Sequence, residues 1–179
     1  MIISQPAKPD IQPAADTGET KIMVGLEDIR VSYNPHVVLA CLGLGSCIAV
    51  SAYDPVARVG AMAHIVLPDS GGKDSKDSPG KYADTGIPWM IEEMMKSGAV
   101  RSRTSIKIAG GARIFGNIKE GSMLDIGFRN LAAVKQTIIN NDLILCGENT
   151  GGSHGRSLFL YISTGLTLVT TATREKIVL

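Results

Sequence analysis

The sequence predicts an α+β domain: roughly nine short strands with two helices set among them, out of step with a regular βαβ series. Three observations carry this. Apolar runs of strand length recur between Gly, Pro, Asn and Asp clusters. Two stretches instead repeat apolar residues at three- and four-residue spacing. Twenty glycines in 179 residues call for many tight turns and close backbone approaches. A hydrophobic share of 44% against 20% charged residues suits one globular domain with a real core.

Residues 1–20 are rich in Pro, Asp, Ala and Gln without an apolar period, and read as a disordered arm before a single domain over 21–179. From Lys21 to Ser32, Ile22, Val24, Leu26, Ile29 and Val31 flank a Glu27-Asp28 break, giving two short strands or one bulged strand. After the Asn34-Pro35 turn, with His36 a solvated turn residue, Val37–Leu42 is an apolar strand. It runs into Gly43-Leu44-Gly45-Ser46-Cys47 and a second strand. Asp54-Pro55 supplies turn chemistry, and Val59–Leu67, carrying His64, is the returning strand. Pro68–Gly80 is a surface loop.

Asp84–Ser97 reads as a helix with Ile87, Met90, Ile91, Met94 and Met95 on its apolar stripe, Pro88 in the first turn and Gly98 as its stop. Ser105–Ala109 is a short buried strand ending in Gly110-Gly111. A second helix runs to about Asn140 with Asn130 as N-cap and Leu131, Val134, Ile138 and Ile139 inward. Leu143–Gly147 is a strand with Cys146 in the core, followed by a glycine-rich loop from Glu148 to Gly155. Ser157–Ile162 and Leu166–Thr171 form a hairpin, and Glu175–Leu179 an edge strand.

The charge balance, 18 basic against 17 acidic residues, gives no electrostatic case for nucleic acid or for an anionic membrane. At 4%, the aromatic content offers few platforms for stacking bases. No apolar stretch has transmembrane length and no leader pattern is visible, so a cytoplasmic location is expected, with no membrane insertion. Three cysteines, an odd number, argue against a secreted disulfide scaffold. Cysteine and histidine spacings match no zinc pattern, and neither glycine-rich stretch completes a nucleotide fingerprint.

The informative constellation is the glycine turn with its cysteine and the histidine one hairpin away. A thiol attacks well only as a thiolate, and an imidazole can take its proton and later return one to a leaving group. Backbone N–H groups of a glycine-rich turn can meet a developing oxyanion. These are the parts of acyl transfer through a thioester. In an antiparallel hairpin, facing residues keep a constant sum. A turn centred between Pro55 and Val56 puts Cys47 opposite His64. A sum changed by two leaves them diagonal neighbours on one face, and a sum changed by one separates them. The ordinary readings are a small core cysteine and a hydrogen-bonded core histidine.

Leu42-Gly43-Leu44-Gly45-Ser46-Cys47, Tyr53-Asp54-Pro55, Ala63-His64-Ile65-Val66-Leu67-Pro68, Gly80-Lys81-Tyr82-Ala83-Asp84, Ala109-Gly110-Gly111-Ala112, Ile126-Gly127-Phe128-Arg129-Asn130 and Gly151-Gly152-Ser153-His154-Gly155-Arg156 resemble, in order, the motifs of the CheD family. These are chemoreceptor glutamine deamidases of bacterial and archaeal chemotaxis. The resemblance runs from about Ile22 to the C-terminus. It implies a mixed β-sandwich flanked by helices, similar to deamidase toxins of the cytotoxic necrotizing factor type. It makes Cys47 the nucleophile and His64 its acid/base, with amides near Gly45 and Ser46 for the oxyanion, Gly110 and Gly111 beside the site, and Phe115 touching a protein partner. The implied partners are methyl-accepting chemotaxis receptors and, in some members, the CheC phosphatase, which CheD binds and stimulates. No cofactor is implied. Where the family usually carries a threonine as third catalytic group, six residues before the nucleophile, this sequence has Cys41. A thiol is the weaker hydrogen-bonding group, so either reduced turnover, a substitute such as Ser46 or a backbone carbonyl, or a non-catalytic binding module is expected.

Overall fold

The computed structural model describes residues 18–73, 77–114, 122 and 124–179. Strands β1 Thr20–Met23, β2 Ile29–Ser32, β3 Val37–Leu44, β4 Ile48–Asp54 and β5 Val59–Ile65 precede helix α1, Ala83–Lys96. Then come β6 Ser105–Gly110, α2 Ile126–Asn140, β7 Ile144–Thr150, β8 Arg156–Tyr161, β9 Thr167–Thr171 and β10 Lys176–Val178. One sheet has the order β1-β3-β8-β9-β10 and the other β2-β5-β4-β6-β7. Both are mixed: β1–β3 and β6–β7 pair parallel, the other neighbours antiparallel.

The architecture has three layers. Ile87, Met90, Ile91 and Met94 of α1 and Val134 and Ile138 of α2 pack on one face of the second sheet, against Val50, Ile65 and Ile108. Its other face meets the first sheet through Leu39, Cys41, Leu44, Ala49, Met62, Leu158 and Leu160. Every residue of β4 and β5 is therefore buried. Such doubly covered strands read as continuous apolar runs, not as alternation.

The Glu27-Asp28 break resolves into two strands that belong to different sheets. Glu27 turns the chain at a φ of 62°, and Asp28 Oδ1 accepts the Ile29 N–H at 2.8 Å.

Several expectations are corrected. Cys146 is exposed, because β7 lies at a sheet edge. Met95 and Ile139 face solvent, one position beyond the buried stripe of each helix. Pro88 sits in the second turn of α1. The α2 N-cap is Asp125, whose side chain accepts the Phe128 N–H at 3.0 Å. Among the described residues, no helix is long and apolar enough to cross a membrane. Of the arm expected over 1–20, residues 1–17 lie outside the described residues, and Thr20 is corrected: it opens β1, paired with Val37, because its N–H is taken up by His36 O at 2.8 Å.

Candidate active site

Residues 45–47 are where the chain leaves the first sheet, at the end of β3, and enters the second, at the start of β4. A register irregularity between Cys41 and Leu44 turns Leu42 and Gly43 outward and lets both flanking side chains face the inner core. The corner is held by its carbonyls. Ala112 N donates to Gly45 O at 2.7 Å and Gly111 N to Cys47 O at 2.9 Å. Asn130 Nδ2 donates to Ser46 O at 3.0 Å. No described peptide is cis, and in a trans peptide the N–H points opposite to the preceding carbonyl. The N–H groups of Ser46 and Cys47 therefore point away from these donors.

Gly110 makes this approach sterically possible. Its φ is 120°, and a Cβ there would run into the Cys47 carbonyl oxygen and lie 3.2 Å from Ile48 Cα. The supporting loop is itself tied down, by Gly151 N to Gly110 O at 2.9 Å and Arg113 N to Gly152 O at 2.8 Å. Behind it, the buried Arg156 guanidinium donates to Asn149 Oδ1 at 2.6 Å, to the Gly151 carbonyl, and to His154 O at 3.3 Å.

The β4–β5 register puts Ala49, not Cys47, opposite His64. The hairpin sum is thus larger by two than a turn centred between Pro55 and Val56 would give. Cys47 becomes the diagonal neighbour of His64 on the inner face, packed against the inter-sheet cluster.

His64 is buried. Its Nδ1 lies 3.0 Å from Cys41 Sγ, across the gap between the sheets, and 3.4 Å from the Val24 carbonyl. Cys41 Sγ is also 3.5 Å from that carbonyl. A carbonyl only accepts, so the Val24 contact suits a ring protonated at Nδ1, which leaves Nε2 with a free lone pair.

The electrostatics favour neutral partners at rest. Burial lowers the His64 pKa below the ordinary imidazole value, with the Val24 carbonyl pulling the other way. Burial raises the Cys47 thiol, against a smaller opposing backbone hydrogen bond. Cys41 is pushed up to about 12 by burial and by the negative charge that Cys47 and Asp28 can carry. Cys41 therefore stays a thiol and cannot compete as a thiolate.

The structure thus brings Cys41, Cys47, His64, Gly45, Ser46, Gly110 and Gly111 to one end of the sandwich. Phe115 lies outside the described residues. Beside Gly111 opens a cavity of about 360 Å³, bounded by Arg113, Asp125, Phe128, Leu131 and Gly151-Gly152. Among the described residues, no group of three His, Cys, Asp or Glu side chains is placed to hold a metal ion. Sequence reasoning missed three supports. The Val24 carbonyl carries no side-chain signal. Asn130 and Arg156 do sit within the family-like motifs, the first at a position that sequence alone assigns to a helix cap.

The family described as CheD chemotactic sensory transduction matches residues 66–171. A Thermotoga maritima protein named chemoreceptor glutamine deamidase CheD is 48% identical over 149 residues, 83% of this chain and 90% of that protein.

The chain belongs to the CheD family.

A Symbiobacterium thermophilum protein named probable chemoreceptor glutamine deamidase CheD is 46% identical, over 84% of this chain and 92% of its own. The CheD match begins two residues after His64 and spans the Gly110, Asn130 and Arg156 supports. Among solved structures, the Bacillus licheniformis hypothetical protein YfiH aligns with a TM-score of 0.40 at 14% identity, covering 70% of this CheD chain and 49% of its own. That likeness is too slight to bear on function.

Proposed function

We propose that this chain is a chemoreceptor glutamine deamidase working through a thioester on Cys47. The observation that carries the reading is the corner turn: all three of its carbonyls are bonded inward, and its cysteine shares a face with His64. As Cys47 Sγ attacks the side-chain amide carbon of a receptor glutamine, His64 Nε2 takes the thiol proton. The amide oxygen becomes an oxyanion facing the N–H groups of Ser46 and Cys47. The imidazolium returns the proton to the nitrogen, the C–N bond breaks, and ammonia leaves. Water, deprotonated by the same imidazole, attacks the thioester, and glutamate and the Cys47 thiol are released. A glutamyl methyl ester, losing methanol in place of ammonia, fits the same steps. Each turnover adds one negative charge to the receptor, a local electrostatic change of the kind that shifts two-state signalling assemblies.

Cys41, hydrogen-bonded to Nδ1 opposite the reacting edge, orients the ring in the threonine's place. The cavity beside Gly111 is the landing site for the receptor segment, with Gly111 in its wall and Gly110 preceding it in the chain; Phe115, outside the described residues, is proposed as a partner contact on the family resemblance alone. The location is cytoplasmic, the chain from β1 onward forms one catalytic domain after an N-terminal arm, and the architecture is akin to that of deamidase toxins of the cytotoxic necrotizing factor type. Incubation with receptor should add about one dalton per converted glutamine, and Cys47→Ala should abolish this. Unchanged deamidation by that variant would overturn the mechanism.

The weak sulfur contact at His64 favours one second reading, a binding module that engages a CheC-type phosphatase with little turnover of its own. Cys41→Thr separates the two. A several-fold rise in deamidation marks an enzyme slowed by its thiol. No activity with either residue, alongside CheC binding, marks the module.

A further inference from the structure

Asn130 lies in the first turns of α2, fully buried. Its Nδ2 has two protons and two partners: Ser46 O at 3.0 Å and Val66 O at 2.9 Å. The first belongs to the peptide that ends in the Cys47 N–H. The second lies two residues beyond His64. Its Oδ1 is buried with no hydrogen-bond partner. An orphaned buried acceptor is costly, so the amide is not there for its oxygen, nor does it cap the helix.

We propose that Asn130 is a positioning residue of the deamidation site, its single side-chain nitrogen fixing the nucleophile turn to the end of the histidine strand. The proposal rests on Cys47 and His64 acting as argued above. The amide acts twice. It sets the separation of Cys47, in the turn that leads into β4, and His64, in β5, which are diagonal in the continued register. It also draws charge through the Ser46–Cys47 peptide, so the Cys47 N–H on the opposite edge becomes a stronger donor to the oxyanion. Both effects belong to the chemical step and not to receptor binding.

The test uses the full chain with Asn130→Leu, which keeps bulk and removes both donors, and Asn130→Ala. Two readouts are taken on folded protein: receptor deamidation, and alkylation of Cys47 by iodoacetamide as a function of pH. A misplacement of about 1 Å costs roughly a hundredfold in rate. The expected result is therefore a kcat lower by about that factor, with KM within threefold. Alkylation at neutral pH should fall to the level of a His64→Ala variant, while alkylation at a pH where the thiolate forms unaided stays as in the wild type. A merely structural role would slow neither reaction in folded protein. Wild-type kcat and a wild-type alkylation profile in a folded Asn130 variant would overturn the proposal and leave the Cys47 mechanism standing. Deamidation surviving Cys47→Ala would instead remove the mechanism. Should neither variant fold, hydrogen exchange of the wild-type Asn130 side-chain amide decides. Both protons must be protected like the β4–β5 backbone, and free exchange refutes the bridge.

Discussion

Substituting Gly110 by alanine tests whether backbone proximity, and not side-chain chemistry, sets the nucleophile. At a φ of 120° an L-residue is strained, which costs about 1–3 kcal/mol. The added methyl overlaps the Cys47 carbonyl and lies 3.2 Å from both Cys47 C and Ile48 Cα. These are backbone atoms of a central strand, so β6 and β4 must part, at about 1–3 kcal/mol more. A total near 4 kcal/mol should lower the melting temperature by roughly 8–16 °C for a domain of this size. The same displacement moves the Cys47 N–H and thiol together, so kcat for receptor deamidation should drop about a hundredfold at a temperature where the variant is folded. Gly165→Ala is the matched control. Its φ is 73° and its methyl would collide with the Tyr53 ring, at the opposite end of β4. It should destabilise comparably and leave kcat unchanged. Gly110→Ala with wild-type melting, or with a kcat no lower than that of Gly165→Ala, would refute the reasoning.

Two further outcomes follow from the ionisable groups. His64 is lowered and Cys47 raised from their ordinary values, so the reactive form, neutral thiol with neutral imidazole, spans the interval between them. The pH profile of kcat/KM should rise through an acid limb that lies below the ordinary imidazole range and hold beyond the ordinary thiol range; a single rise in the alkaline range alone would show that His64 is not the base. Asp54 is fully buried. Burial would raise its carboxyl, but hydrogen bonds from Arg103 and from the Val100, Ala57 and Val56 N–H groups hold it at about 2. Its folded value lies below its unfolded one, so its contribution, on the order of 2 kcal/mol, is complete above about pH 4 and fades as pH falls towards 2. Arg103→Ala should lose about 2 kcal/mol at pH 7 and flatten the melting-temperature decline between pH 4 and 2. An unchanged decline would count against it.

How much of this was legible depended on distance along the chain. The β4–β5 hairpin, both helices and the β8–β9 hairpin follow from local pattern, because each pairs with its sequence neighbour. The division of β1 and β2 between two sheets does not, since a short strand pairs where the core needs cover and its own residues do not name the sheet. The hairpin sum missed by two because the Asp54 side chain caps the turn, accepting from the N–H groups of Val56 and Ala57, and moves its centre towards β5. The face survived, since a shift of two preserves side-chain parity. Cys41 was named through its place in a motif, yet its partner, 23 residues away on the facing sheet, became visible only in three dimensions. Asn130 misled because a buried tether and an N-cap look alike in sequence near a helix start.

The site draws one group from each sheet and a third from the link between them, so its geometry reports the spacing of the sandwich. Leu158, fully buried, stands directly beside Cys41 in the β3–β8 register and belongs to the inter-sheet core. Leu158→Ala leaves a void there and should cost about 2–5 kcal/mol. Met94 is equally buried but lies in the helix-facing core, on the far side of the second sheet, and Met94→Ala should cost a similar amount. Stability alone would predict equal effects on catalysis. If the spacing of the sheets sets the Cys41–His64 contact, Leu158→Ala loosens the imidazole and lowers kcat several-fold in folded protein, while Met94→Ala leaves it near the wild-type value. Measured side by side at a temperature well below both melting transitions, equal kcat values for the two variants would mean that His64 takes its orientation from the second sheet alone.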